Sequence, residues 1–317
     1  MVNKALLRKV VVCGAPSGGM TALDAVRREV VALERLGPHP NIVSLIEVID
    51  DPACDKLYIV MDFLPEQVSV PRRGPGHAMR GLDDGALLVV ACAAAAALAH
   101  AHAHGVVHGD VKPEHLLRAP DRTGGGGGGG ASCVKLVDFG SCVLFDPGAG
   151  AQADSVTRSP GTPAFTAPEC CLVGRGQACY SGTKADVWAL GVSLFMLRYG
   201  RGPFTAIAPA QVYEEIAAAF PGGGGGGLGA VLREAEGARD AGLRARGATE
   251  RVTEALRRTL EGDPQRRPTA MEVLALLGGA TPSAILRGGG RGLQAQSVEE
   301  IEEDFAKAVR AGNTRGV

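Results

Sequence analysis

The sequence predicts an α+β chain in two unequal lobes: a small strand-and-helix part, then a larger, mainly helical one. Three observations carry that prediction. Residues 26–36 place Val26, Val30 and Leu33 at helical spacing and stop at Pro38-His39-Pro40. Two strand-like runs follow, 42–49 and 56–62, parted by a turn around Asp50-Asp51-Pro52. Beyond them the apolar spacing turns helical over 86–104, 184–199, 211–219, 251–260 and 270–277, with one short strand at 135–138. The segment 86–104 is the firmest helix by propensity, because it is so rich in alanine and leucine.

Composition narrows the class. The chain has 317 residues, 45% of them hydrophobic and 21% charged, with a net charge of −1. No basic excess argues for a nucleic-acid surface, and no acidic block argues for a solvating tail. The eight cysteines form no C-x-x-C pair and read as reduced thiols. A disulfide between the adjacent Cys170 and Cys171 would be strained. No stretch is expected to reach the roughly 18 consecutive apolar residues that span a bilayer. The first apolar run ends at Cys13-Gly14, too early for a signal-peptide core. The expectation is therefore a cytoplasmic or nuclear chain with no membrane and no nucleic-acid partner; oligomeric state is unknown at this level.

The glycine runs 124–130 and 222–227 cannot pack a core and read as expanded surface loops inside a domain. The expected organisation is 1–62 for the small lobe, 63–280 for the large one and 281–317 for a tail. In that tail Ser297 and Glu300 form a capping-box pattern, and Ile301, Phe305 and Val309 make an apolar stripe expected to dock on the chain's own domain.

The residues with chemical potential come in a fixed order. After the helix 86–104 stands Val107-His108-Gly109-Asp110-Val111-Lys112-Pro113-Glu114-His115-Leu116-Leu117, a loop carboxylate with a lysine two positions on. Asp138-Phe139-Gly140 then puts a second carboxylate at a strand end. Further along come Gly161-Thr162-Pro163, Ala167-Pro168-Glu169, Asp186-Val187-Trp188 and Asp263-Pro264-Gln265-Arg266-Arg267. Phosphoryl transfer needs a base near the attacking hydroxyl, cations on the phosphates and a carboxylate holding a metal. An Asp-Phe-Gly triplet alone is an ordinary strand-ending turn; the order and spacing of the whole set are what point further.

On these motifs the chain resembles the eukaryotic serine/threonine protein kinases, from their third strand to the end of the catalytic domain, about residues 2–280. Within that family it looks closest to the plant-type upstream kinases that interact with geminivirus replication protein, and it is similar to calmodulin-dependent kinase kinases. The wording HPNIVSLIEVIDDP, HGDVKPEHLL, SPGTPAFTAPECC and ADVWALGVSLF carries the likeness. The resemblance implies a bilobal fold, ATP and Mg2+ as cofactors, and a protein substrate. That substrate would be another Ser/Thr kinase, of the AMP-activated type, phosphorylated on its activation loop.

The same resemblance implies roles residue by residue. Asp110 would accept or orient the substrate proton, Lys112 would neutralise the transferred phosphoryl, and Asp138 would bind the metal. Lys4 would be the strand lysine and Glu29 its helix partner. Met61 would be the gatekeeper, with Asp62 and Leu64 meeting adenine in the hinge and Val2 and Leu117 sandwiching it. Leu33, Leu45, His108 and Phe139 would stack as a spine, Glu169 would pair with Arg267, and Asp186 would brace the catalytic loop.

Three departures qualify these expectations. Met1 lies three residues before Lys4, so a truncated product or fragment lacking two strands and the glycine-rich phosphate loop is expected. His115 stands where the family carries a metal-binding asparagine, which shifts the expected ion toward Mn2+. Gly109 replaces the arginine that grips a phosphorylated activation loop, so switching through Ser155, Thr157 or Ser159 is not expected. Thr21 remains a phosphorylation candidate. The first two departures keep a second reading open, that of a weak or inactive pseudokinase scaffold. Two decoys are set aside. Residues 14–21 have P-loop spacing with Met20 in the lysine position, and His100 with His104 has metal spacing without a third ligand.

Overall fold

The computed structural model describes residues 6–12, 22–51, 56–68, 81–119, 133–150, 152–157, 161–172, 178–204, 206, 208–220, 232 and 246–278. Val2, Lys4, Thr21, Ser159, residues 14–21, both glycine runs and the tail helix lie outside the described residues.

The small lobe is an antiparallel sheet with one helix. Strand β1 (Leu6–Val12) and β2 (Leu45–Asp51) flank a central β3 (Lys56–Asp62). The register sets Leu7 opposite Met61 and Lys9 opposite Ile59. Helix α1 (Ala22–Leu36) packs its apolar stripe inward: Val26, Val30, Leu33 and Leu36 are all buried. Gly37, with φ +59°, ends the helix in the left-handed conformation that costs glycine least.

The large lobe is built around α2 (Asp84–Ala103). Asp83 caps its start by accepting the Ala86 N–H at 2.9 Å. This helix corrects one expectation, because by length and composition it could cross a bilayer, with a window of mean hydropathy 1.9. Alanine supplies that apolarity with little bulk. The helix spends it on close packing against α3 (Gly182–Tyr199), α5 (Arg246–Thr259) and α6 (Ala270–Leu276). Leu87, Ala91, Ala95, Leu98 and Ala101 are fully buried. Helix α4 (Pro209–Ala219) lies outside this bundle with Val212 and Ile216 turned inward.

Short strands carry the cleft. β4 (Glu66–Gln67), β6 (Leu116–Arg118) and β7 (Val134–Leu136) form one sheet. β5 (Val106–Val107) pairs with β8 (Val143–Leu144), and β9 (Ser155–Val156) with β10 (Tyr180–Ser181). The lobes meet along residues 39–43, where Leu136 N–H donates to Asn41 O at 2.8 Å and Val43 N–H to Leu136 O at 3.0 Å. Lys135 Nζ adds a bond to Ile42 O at 2.7 Å. Ile42 is thus a bridge to β7 and not, as the sequence suggested, the start of a strand. The strand expected over 135–138 likewise ends at Leu136, because Asp138 turns left-handed at φ 62° and ψ 76°.

Candidate active site

The loop after α2 is held from beneath. Asp186, 2% exposed near the start of α3, accepts the backbone N–H of His108 at 2.8 Å and of Gly109 at 2.9 Å. His102 Nε2 lies 2.9 Å from the same carboxylate. A buried carboxylate survives only with such partners, and here its donors are the backbone of the loop it positions. Gly109 takes φ +77°, a conformation that penalises any side chain bearing a Cβ. Glycine here therefore does more than remove an arginine: it relaxes a turn that Asp186 enforces.

Asp110 follows directly and is boxed in. Its Oδ2 accepts Lys112 Nζ at 2.6 Å, while Oδ1 accepts the Thr162 hydroxyl at 2.7 Å and the Thr162 N–H at 3.1 Å. Burial pushes its pKa up, but the bonds from Lys112 and Thr162 outweigh that and hold it below the ordinary value. Asp110 is thus a carboxylate at neutral pH. Gly161 is needed for the approach, since a Cβ there would sit 2.7 Å from Asp110 Oδ1.

Asp138 stands across the cleft. It is a non-glycine residue in the left-handed region, a conformation that concentrates at functional sites. Its carboxylate accepts Gly140 N–H at 3.3 Å and its side chain is 46% exposed. Phe139 beside it is fully buried, its ring edge-on to His108 at 4.8 Å. His108 Nε2–H donates to Val137 O at 3.0 Å, and its Nδ1 accepts the Asp110 N–H at 3.2 Å. Leu33 is buried in the same core, Leu45 packs against that core, and helix α1, which carries Leu33, contacts the turn at Phe139.

His115 stands between the two aspartates, on the backbone of one and the carboxylate of the other. Nδ1 lies 2.8 Å from the Asp110 carbonyl oxygen and Nε2 lies 3.3 Å from Asp138 Oδ2. Burial, then the neighbouring His108 and Lys112, lower its pKa, so the ring is neutral at physiological pH. This arrangement bears on magnesium. Asp138 offers the oxygen that a hard ion takes, whereas His115 offers nitrogen, so the pair does not fit magnesium at both positions.

The remaining predicted residues fall as follows. Glu29 is 1% exposed on α1, and Met61 is buried at 5%. Asp62 ends β3, its carboxylate 3.8 Å from Lys135 Nζ. Leu64 packs against the core, and Leu117 on β6 pairs with Gln67 and Lys135 beneath the hinge. Arg267 meets Glu169 through two parallel bonds, 2.7 and 2.9 Å, with its guanidinium over the Trp188 ring. His100 and His104 do not point at a common ion. His100 Nε2 lies 2.8 Å from Leu36 O, His104 Nδ1 lies 2.8 Å from His100 O, and their rings sit 4.0 Å apart.

Two features escaped the sequence. Asp154 accepts bonds from the hydroxyls of Ser181 and Thr183 and from the Thr183 N–H, tying the segment 152–157 to the start of α3. Those partners are 27 and 29 positions away, and nothing in the local wording marks them. Second, a cavity of about 90 Å³ lies under Gly109 and Asp110, walled by Val143, Val156, Thr166 and Tyr180. The buried Thr166 hydroxyl on its wall finds no hydrogen-bond partner among the described residues.

Comparisons with known proteins give the family and the fold. The serine/threonine-protein kinases GRIK2 and GRIK1 of Arabidopsis thaliana are each 39% identical to the chain, over 205 and 196 residues. Each alignment covers 62% of this chain but only 43% and 44% of those relatives, so the chain spans less than half their length. The calcium/calmodulin-dependent protein kinase kinase of Caenorhabditis elegans is 33% identical over 192 residues, 60% of this chain and 31% of its own. Among solved structures, a chain of the CAK complex from Chaetomium thermophilum bound to ATP-gamma-S superposes with a TM-score of 0.62. It is 26% identical and the match covers 85% of this chain and 81% of that one. The protein kinase domain profile matches residues 10–276, and the chain belongs to the protein kinase domain family.

Proposed function

We propose that this chain carries the catalytic domain of a serine/threonine protein kinase, transferring the γ-phosphoryl group of ATP to a hydroxyl on a protein. The observation that carries the reading is the boxed carboxylate of Asp110, held by Lys112 and Thr162, with Asp138 reached through a single imidazole. Asp110 is ionised and fixed, as a group that orients an attacking hydroxyl and takes its proton must be. Lys112 supplies positive charge beside it, where negative charge develops on the transferred group. Asp138 supplies an oxygen facing the cleft. Met61, Asp62, Leu64 and Leu117 form the adenine side of that cleft, and Lys4, Glu29 and Val2 complete it in this reading. Use of ATP is supported by the fold shared with a chain whose complex was solved with ATP-gamma-S.

The finer proposal is that the substrate is itself a Ser/Thr kinase of the AMP-activated type. A relative named as a kinase kinase supports it, as do the GRIK relatives at higher identity. His115 favours one competitor, a scaffold that binds nucleotide without transferring phosphate, because it puts nitrogen where magnesium prefers oxygen.

Transfer of labelled phosphate from ATP to an activation-loop peptide, compared with an unrelated serine peptide, tests both levels. Asp110→Asn is expected to lower transfer by about 10²–10⁴-fold, the usual worth of a positioned acid or base. Nucleotide binding with no transfer by the unmodified chain would establish the scaffold instead.

A further inference from the structure

The geometry points to a binding site for a small cation of the guanidinium class in the cavity beneath Gly109 and Asp110. That cavity has a volume of about 90 Å³. One water needs about 10–15 Å³ of such space, so a molecule of several heavy atoms can enter. Gly109 brings no side chain into it, while Val107, Val143, Val156 and Phe165 give it apolar faces. Its charged wall residues are Asp110 and Asp186, and no lysine, arginine or histidine is among those described on the wall. An anion such as phosphate therefore meets only like charge there, whereas a cation meets the opposite sign.

Bonding capacity leads the same way. A carboxylate accepts at about four lone-pair positions. Asp186 uses three, on the N–H groups of His108 and Gly109 and on His102 Nε2. Asp110 also uses three, on Lys112 Nζ and on the hydroxyl and N–H of Thr162. Each keeps one position open. On the same wall the hydroxyl of Thr166, a residue 2% exposed, has no hydrogen-bond partner among the described residues. A buried hydroxyl left so is costly, and a ligand that bonds to it recovers that cost. A guanidinium suits these three acceptors, because its N–H donors lie in one plane and reach several of them at once. It also sheds water more readily than an ammonium does, and its flat faces fit apolar walls.

The site is separate from phosphoryl transfer, so its test reads binding alone and neither result bears on the kinase reading. Methylguanidinium chloride at millimolar concentration is the probe, titrated into the full chain against sodium chloride and sodium phosphate at matched ionic strength. Binding is followed by saturation transfer from the protein to the probe's methyl protons and by the melting temperature. Saturable transfer and a rising melt with methylguanidinium alone are expected. Thr166→Val keeps the shape and removes the hydroxyl; it is expected to weaken binding by about 10-fold, the scale of one hydrogen bond to a charged group. Ala185→Leu puts bulk into the space from α3 and is expected to abolish binding. Acetylarginine amide displaces the probe at lower concentration than free guanidinium does if the natural source is a partner's arginine, and at higher concentration if it is a small free cation. Absence of saturable transfer in the unmodified chain overturns the proposal and leaves the cavity to water; this arm needs no variant to fold. Unchanged affinity in the two variants, or displacement of the probe by phosphate, overturns it as well.

Discussion

Asp110 and Asp138 are two carboxylates of one cleft, built on opposite principles. The Asp110 side chain is 12% exposed, and its oxygens are filled by Lys112 and Thr162. Its loop is nailed to α3 by Asp186. The Asp138 side chain is 46% exposed, on a left-handed residue just after a three-residue strand. The first is organised by the protein before any ligand arrives. The second is exposed toward the cleft, where the proposed reading places a metal ion. A catalytic base profits from fixed geometry, because positioning done during folding need not be repeated at each turnover. A metal ligand must exchange with solvent and phosphate, so exposure serves it.

The sharpest way to break this contrast is to remove the nail. Asp186→Ala leaves two loop N–H groups without their acceptor and is expected to cost about 1–3 kcal/mol for each stranded donor. The melting temperature should drop by many degrees, with transfer activity falling alongside. A melt within a degree or two of the unmodified chain would show that the loop holds itself.

A smaller effect is expected at Gly109. Its φ of +77° makes Gly109→Ala cost about 1–2 kcal/mol by steric strain. Chemical denaturation measures this directly; an unchanged midpoint would mean the loop relaxes into another conformation and that Asp186 does not dictate it.

Away from the cleft, where the lobes meet, His39 makes a pH prediction. Burial, then His100, Lys135 and His104, lower its pKa to about 4. Above pH 6.5 the folded and unfolded chains both hold it neutral. Below that, the unfolded chain takes a proton that the folded one refuses, so stability falls from about pH 6.5 to about 4 and then levels off. His39→Asn should flatten that part of a melting-temperature series. An equally steep fall in the variant would assign the acid sensitivity elsewhere.

Much of this arrangement was legible in the sequence, and the reason differs by element. Helix α1 and the long α2 were readable because spacing and alanine content act locally. Glu169 with Arg267, Asp186 with the loop, and the spine from Leu33 to Phe139 came from motif order. The structure joins the first two directly and, of the spine, sets His108 against Phe139. The start of β2 was misjudged at Ile42, since a backbone bridge to Leu136 is a long-range event with no local mark. Helix α2 was not recognised as apolar enough to span a bilayer, and only its packing partners show where its surface goes.

By itself, then, the sequence determined the family, the order of elements and which side chains carry charge in the cleft, because these follow from residue identity and spacing along one chain. Only the tertiary structure decided how those charges are spent. It turned Gly109 into a relaxed turn, closed Thr162 onto Asp110, tied Asp154 to α3 and set His115 Nε2 3.3 Å from Asp138. Each of these is a contact between residues far apart in the chain or a backbone angle imposed by one, and a linear pattern records neither.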